Sequence, residues 1–385
     1  MNGRTIIVGA SVATTAFLER LRESGYREHV TVVDGDLDAP YDRPPLSKQY
    51  LKDGELEDIM ADWGDLDAQI VRAEAVSVDS GNRLLHLRDV VTDAASTMTF
   101  DRLVLACGAS PARLPFEPQD TLVLRHANES RALRDQVSGS TTVTIIGAGA
   151  IGVELASSLR ALGAEVTVLD RAAGPLERLL GGQLQDEVTG WLDEAGVITR
   201  WGVGISRVEH VADGWEVEID GGEIVRSDLV VSAVGSKPAI GWLQDSGLLS
   251  GNALLVDAVG QVLMEGTPVD GLYAIGDVAS RQDGTGNITR TESWSAAREQ
   301  GERLADHLLG REPEAPVVPY FWTEVAGRKL QVLGRLDPAG TVDVDYSDPA
   351  RGTILYRVDN GDAADAWIGV NAQPRIAQLM MSVAA

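Results

Sequence analysis

The chain has 385 residues, enough to bury more than one core, because single cores stop growing near about 250–300 residues. Its 58 Asp and Glu outweigh 33 Lys and Arg, a formal net charge of −25 that argues against nucleic acid or an anionic membrane surface as the main partner. No apolar run approaches the roughly 18 residues of a membrane span, no signal peptide is read at the N-terminus, and the one cysteine, Cys107, cannot form a disulfide within the chain. These features together predict a cytoplasmic enzyme.

Residues 5–34, TIIVGASVATTAFLERLRESGYREHVTVVD, predict a strand, a tight glycine turn, a helix with 3.6-residue apolar spacing and a second strand ending in Asp34. Gly9, Ser11 and Thr14 stand at the three positions of the dinucleotide fingerprint G-x-G-x-x-G. Ser11 still lets a pyrophosphate approach the backbone, whereas the bulkier Thr14 is expected to push the helix off its strand. On these residues alone the stretch reads equally as a cofactor turn or as a structural βαβ unit. Next comes YDRPPLSKQYL (41–51), where Arg43 and Lys48 flank a stiff Pro44-Pro45 turn in a chain with only four lysines. FDRLVLACGASP (100–111) then gives an acid, an apolar strand, a glycine and a proline.

The pattern recurs. Residues 144–170, TIIGAGAIGVELASSLRALGAEVTVLD, repeat the βαβ unit with a complete fingerprint at Gly147, Gly149 and Gly152. Asp34 and Asp170 fall 25 and 23 residues after the first glycine of their turns, near the place where an acid accepts ribose hydroxyls. Asp170 favours NAD over NADP, since a carboxylate repels a 2′-phosphate; Arg171 beside it moderates that preference. SDLVVSAVGSKP (227–238) echoes residues 100–111. In LYAIGDVA (272–279) a strand leads to Gly276-Asp277 and an expected helix start, whose N-terminus would attract an anion. EPEAPVVP (312–319) reads as a linker. Beyond it GTILYRV and AWIGVN read as strands and RIAQLMMSV as a closing helix.

Taken together, PYDRPPLSK (40–48), LVLACGASP (103–111), IIGAGAIGVELA (145–156), LYAIGDVA (272–279), TRTESWSAAREQG (289–301) and PYFWTEVAGRKLQVLG (319–334) resemble the FAD- and NAD(P)H-dependent ferredoxin reductases of the putidaredoxin reductase and dioxygenase-reductase type. The resemblance implies an α/β fold with two interleaved doubly wound, Rossmann-like domains and a small C-terminal α+β domain. Residues 1–109 and 235–312 would bind FAD, 110–234 would bind NAD(H), and 313–385 would form the C-terminal domain. By the same resemblance FAD is held by Gly9, Ser11, Asp34, Asp36, Arg43, Ala106, Gly108, Gly276 and Asp277, with Trp294 and Trp322 against its ring. Gly147, Gly149, Gly152 and Asp170 hold NAD(H). Lys48 at the flavin edge, Glu154 paired with it and Glu292 near the nicotinamide are the implied catalytic residues. An ammonium there would lower the energy of the charge that hydride arrival develops. No metal site is expected.

The implied reaction passes hydride from NADH to FAD and then single electrons to a [2Fe–2S] ferredoxin that serves a P450 or Rieske oxygenase, in a monomer or homodimer. The redox cysteine of the disulfide reductases is replaced here by the run Arg43 to Ser47, which disfavours peroxidase chemistry; Cys107 reads as a packed side chain. Glu324-Val325 departs from the usual Asp-Gln pair. Residues 281–335 carry eight basic side chains, Arg298 and Arg303 among them, balanced by eight acids; this stretch is the expected ferredoxin face. Two other classes stay open: a flavin oxidoreductase acting on O₂ or a small organic molecule, and an NADH-switched interaction protein resembling apoptosis-inducing factor.

Overall fold

The computed structural model describes residues 3–26, 29–64, 66, 68–312 and 317–383. The chain divides into two compact units. The first comprises Met1–Asp42, Glu57–Ser110 and Lys237–Val317; the second comprises Arg43–Leu56, Pro111–Ser236 and Val318–Ala385. The Pro-stiffened stretch Arg43–Leu56 thus groups with the second unit. Four residues of the expected linker, 313–316, lie outside the described residues.

The first unit is built on an eight-stranded sheet. Its order is Gln261–Met264, Thr267–Ala274, Arg102–Leu105, Thr5–Val8, Val30–Asp34, Ala68–Asp79, Leu84–Asp89 and Ala95–Thr99. The strands from Thr267–Ala274 to Ala68–Asp79 run parallel, and antiparallel partners flank them on both sides. Thr5–Val8 is buried along its whole length, as a central parallel strand covered on both faces must be. Its side chains alternate between two cores: Ile6 and Val8 pack with Leu103, Leu105 and Leu272, and Ile7 packs with Phe17, Leu18, Val104 and Leu304. The helices Val12–Glu23 and Trp294–Leu308 cross in near-backbone contact, for a Cβ on Gly301 would lie 2.2 Å from the Ala13 carbonyl oxygen.

In the second unit four parallel strands, Ile198–Arg200, Glu165–Leu169, Thr142–Ile146 and Leu229–Ser232, form one sheet. A three-stranded antiparallel meander, Ile205–Val211, Gly214–Ile219 and Ile224–Ser227, packs Val208, Trp215 and Val217 against Ile146 and Leu169. The C-terminal portion is a five-stranded antiparallel sheet, with Tyr320–Val325, Arg328–Leu333, Ala366–Val370, Thr353–Asp359 and Thr341–Asp348 in that order. The Gln373–Val383 helix closes it, seating Ile376 against Leu333 and Leu355. Both strands and the closing helix expected in this region are therefore present.

One expected element differs. After the strand Thr267–Ala274, Gly276–Val278 makes a single 3₁₀ turn and the chain re-enters a strand at Ala279–Gln282, which pairs with Leu254–Leu255. No helix, and so no helix dipole, begins at Asp277; sheet pairing claims the residues that would have continued the turn. Gly276 instead donates its N–H to Gln300 Oε1 at 2.9 Å.

Candidate active site

The two fingerprint turns share one backbone. Gly9 and Gly147 both adopt positive φ, +103° and +105°, and a Cβ on either would lie within 2.6 Å of a carbonyl oxygen just past a neighbouring strand, Ala106 after Arg102–Leu105 or Ala233 after Leu229–Ser232. Ser11 and Gly149 are the N-caps of their helices and both are extended, at φ −96° and −68°. Ser11 therefore takes the conformation of the glycine it replaces, and its hydroxyl accepts the Thr14 N–H at 3.3 Å. At the third position the copies diverge. A Cβ on Gly152 would sit 2.0 Å from the Gly147 carbonyl oxygen, whereas Thr14 is fully buried and donates its hydroxyl to the Gly9 carbonyl at 2.6 Å. The expected intrusion of Thr14 is absorbed as a hydrogen bond.

The acids after each second strand are held by backbone. Asp170 accepts the N–H of Ala148 at 2.5 Å and of Ala172 at 2.7 Å. Asp34 accepts Ala10 N–H at 3.3 Å and Arg72 Nη1 at 3.1 Å. Asp36 accepts the Tyr41 hydroxyl at 2.6 Å, and its carbonyl also receives Arg72 Nη1 at 2.5 Å. A side-chain carbon added at Gly149, the N-cap of the Ala150–Ala161 helix, would meet nothing within 4 Å, so the turn is open at that position. An open glycine turn at a helix N-terminus, with Asp170 behind it, fits the pyrophosphate and ribose of a dinucleotide.

Lys48 and Glu154 meet. Lys48 Nζ lies 2.9 Å from Glu154 Oε2, with the side chains 12% and 6% exposed. Glu154 Oε2 also accepts the Ser47 hydroxyl, and Oε1 accepts the Thr323 hydroxyl at 2.7 Å. Ser47, Glu154 and Thr323 are all buried. The turn that carries Lys48 is pinned by hydroxyls too: Ser130 donates to the Leu46 carbonyl at 2.8 Å and Ser158 to the Ser47 carbonyl at 2.7 Å. Pro44 sits in the first turn of the short Pro44–Ser47 3₁₀ helix, where its missing N–H costs nothing. Thr323 is placed by a two-residue hairpin whose Ala326 and Gly327 both have positive φ, and Ala326 N–H donates to Ser157 at 2.9 Å. Ser47, Ser130, Ser158 and Thr323 escaped the sequence reading; the only signal is that the turn needs acceptors satisfied, and its partners lie far away in sequence.

The remaining expected residues belong to the first unit, except Arg43 and Trp322. Arg290 pairs with Glu292 and donates from Nη1 to the Asp277 carbonyl at 3.0 Å, so Asp277 and Glu292 share one cation. Ser293 caps the Trp294–Leu308 helix, and Trp294 Nε1 donates to Asp42 Oδ1 at 3.1 Å. Gly108, at φ +71°, gives its carbonyl to Ala239 N–H at 3.0 Å, and Ala106 is buried just past the strand Arg102–Leu105. Cys107 is half-buried, with its thiol 3.5 Å from the Ala239 carbonyl. Trp322 stacks on Tyr320 at 5.8 Å in the second unit. Of the two departing residues, Glu324 is exposed opposite Lys329 and Val325 is buried. Among the described residues no group of three or more His, Cys, Asp or Glu could hold a metal ion.

Three arginines of the stretch expected as the ferredoxin face are engaged in ion pairs. Arg298 is tied to Glu19 at 2.7 Å and Glu302 at 3.4 Å, Arg303 to Glu299 at 2.6 Å, and Arg328 to Glu194 at 2.7 Å. Residues 281–335 are divided between the two units at Val317. These cations are paired with acids of the chain itself, and Arg298 and Arg303 are largely covered.

Comparison with known proteins matches residues 3–301 to the family described as pyridine nucleotide-disulphide oxidoreductase. The chain is 30% identical over 371 residues to the benzene 1,2-dioxygenase system ferredoxin–NAD(+) reductase subunit of Pseudomonas putida, covering 94% of this chain and 88% of that one. Among solved structures it is similar to the ferredoxin reductase for the CYP199A2 system from Rhodopseudomonas palustris, with 28% identity, a TM-score of 0.86 and coverage of 97% and 93% of the two chains. It is also similar to the covalent putidaredoxin reductase–putidaredoxin complex, at 25% identity, a TM-score of 0.87 and coverage of 99% and 92%.

Proposed function

The chain belongs to the pyridine nucleotide-disulphide oxidoreductase family, and we propose that within it this protein draws electrons from NADH and delivers them singly to a [2Fe–2S] ferredoxin serving a P450 or Rieske oxygenase. It is an NAD(P)H-dependent FAD oxidoreductase of the ferredoxin reductase type, with FAD and NAD(H) as cofactors. The observation that carries the reading is the buried Lys48–Glu154 pair, in a chain whose one cysteine excludes an internal disulfide. In the stretch where disulfide reductases of the family carry their redox cysteine, this chain has the run Arg43 to Ser47. Bound FAD accepts a hydride from NADH and can release electrons one at a time.

The chain's own residues bind, orient and stabilise charge. In this reading residues 1–109 and 235–312 hold FAD, through Gly9, Ser11, Asp34, Asp36, Ala106, Gly108, Gly276 and Asp277, with help from Arg43. Residues 110–234 hold NADH through Gly147, Gly149, Gly152 and Asp170, and residues 313–385 supply Trp322 as Trp294 is supplied from the flavin domain. Lys48 stabilises the negative charge that develops at the flavin, Glu154 orients Lys48, and Glu292 contacts the nicotinamide side. A dioxygenase system and a P450 system both appear among the similar reductases, which supports an oxygenase-linked ferredoxin without choosing between the two.

Stopped-flow mixing of the NADH-reduced protein tests the proposal. A [2Fe–2S] ferredoxin should reoxidise the flavin in single-electron steps and much faster than air-saturated buffer does. Lys48→Met should slow flavin reduction by NADH by roughly 10²-fold. Reoxidation by O₂ that outpaces every ferredoxin tried would instead support an oxidase.

A further inference from the structure

Glu154 has more partners than an ion pair requires. Lys48 and Ser47 both address Oε2, and Thr323 addresses Oε1. The two hydroxyls come from elements that are themselves fixed. The Ser47 backbone is held by Ser158. Thr323 sits in register opposite Leu330 in its hairpin, and that hairpin is tied at Ala326 to Ser157 on the same helix that carries Glu154. A carboxylate with a single partner turns freely about its last torsion, which is broad and shallow. A lysine ammonium on a four-carbon stem goes where its partner holds it. Clamping both carboxylate oxygens removes the first freedom and thereby the second.

We propose that Ser47 and Thr323 are positioning residues: their hydroxyls fix both oxygens of Glu154, so that Glu154 in turn holds the Lys48 ammonium in one place. The inference rests on the reading of Lys48 as the cation that stabilises charge at the flavin. Through Thr323 the C-terminal sheet takes part in the hydride step without touching substrate.

The test is a double-mutant cycle on the FAD-loaded protein with Thr323→Val, which keeps the volume and deletes the donor, and Glu154→Gln. At saturating NADH, Thr323→Val should slow flavin reduction about 10-fold, the worth of a hydrogen bond to a charged group. Its Kd for NAD⁺ should stay within about twofold, because no binding contact is removed. Thr323→Ser, which restores the hydroxyl, should recover most of the rate. On the Glu154→Gln background, Thr323→Val should cost no more than about twofold, since interacting residues are non-additive. The thermal unfolding midpoints of the same four proteins should show the same non-additivity, a readout independent of turnover. Ser47→Ala repeats the test from the other oxygen if the valine variant fails to fold. A full rate in both Thr323→Val and Ser47→Ala, or equal losses on both backgrounds, overturns the inference while leaving the pair's role intact. Wild-type rates in Lys48→Met and Glu154→Gln overturn that role and the inference with it.

Discussion

Two aspartates that the sequence repeat brought into register do the same job in the two units. Asp101 Oδ2 accepts the Arg4 N–H at 2.7 Å just before the strand Thr5–Val8, and Asp228 Oδ2 accepts both the N–H and the hydroxyl of Thr142 at 2.7 Å where Thr142–Ile146 begins. The repeated acid is therefore a staple at the foot of each sheet. Hydrogen bonds from Thr142 hold the Asp228 carboxyl below its ordinary value. A depressed folded-state value means that stability is present above the unfolded carboxylate's value and is lost as pH falls through the folded one. Wild type should therefore exceed Asp228→Asn in urea midpoint at pH 7, with the gap closing on acidification below about pH 4; a gap unchanged by acid would contradict this. Glycines and acids announce themselves in sequence because few other residues serve their positions. Hydroxyls do not: Thr323 lies 169 residues from the carboxylate it holds, and nothing in its strand distinguishes it from any alternating threonine.

Among the elements, the contrast between the two βαβ units is the informative one. Both were legible because strand, turn and helix signals agree within some thirty residues, and local agreement of that kind is what specifies a unit. The weight of each departure was not legible. Thr14 looked costly and is satisfied by the Gly9 carbonyl at 2.6 Å; Gly152 has no such latitude, since a methyl placed there would lie 2.0 Å from the Gly147 carbonyl oxygen. Gly152→Ala should thus destabilise the protein by about 1–3 kcal/mol through overpacking and weaken NADH binding, while Thr14→Ala should cost about 1 kcal/mol for one hydrogen bond. Chemical unfolding and NADH titration check both; an alanine at 152 as stable as wild type would mean that the helix can stand off its strand in this unit too. The turn at Gly276–Val278 misled for the opposite reason, since pairing of Ala279–Gln282 with a strand some twenty-five residues earlier overrides a local helix signal.

For the molecule as a whole, the order of segments mattered more than their identity. The α/β character, the paired nucleotide folds and the C-terminal sheet with its closing helix all follow from patterns within single segments. That Arg43–Leu56 groups with the second unit does not, because the hydroxyls of Ser130 and Ser158 that hold it belong to helices reached only after the chain has crossed over. The setting of the charges was not legible in one dimension either: residues 281–335 are neutral in a chain of net charge −25, and in the structure Arg298 and Arg303 pair with acids of the same chain. The central claim is that NADH reduces a flavin held by this chain, and anaerobic titration of the purified protein with NADH, followed by visible absorption, tests it most directly. About one equivalent of NADH should bleach the flavin band, hydride transfer being a two-electron step, and NADPH should do so less readily. A colourless protein, or a flavin that stays yellow under excess NADH, would contradict the account.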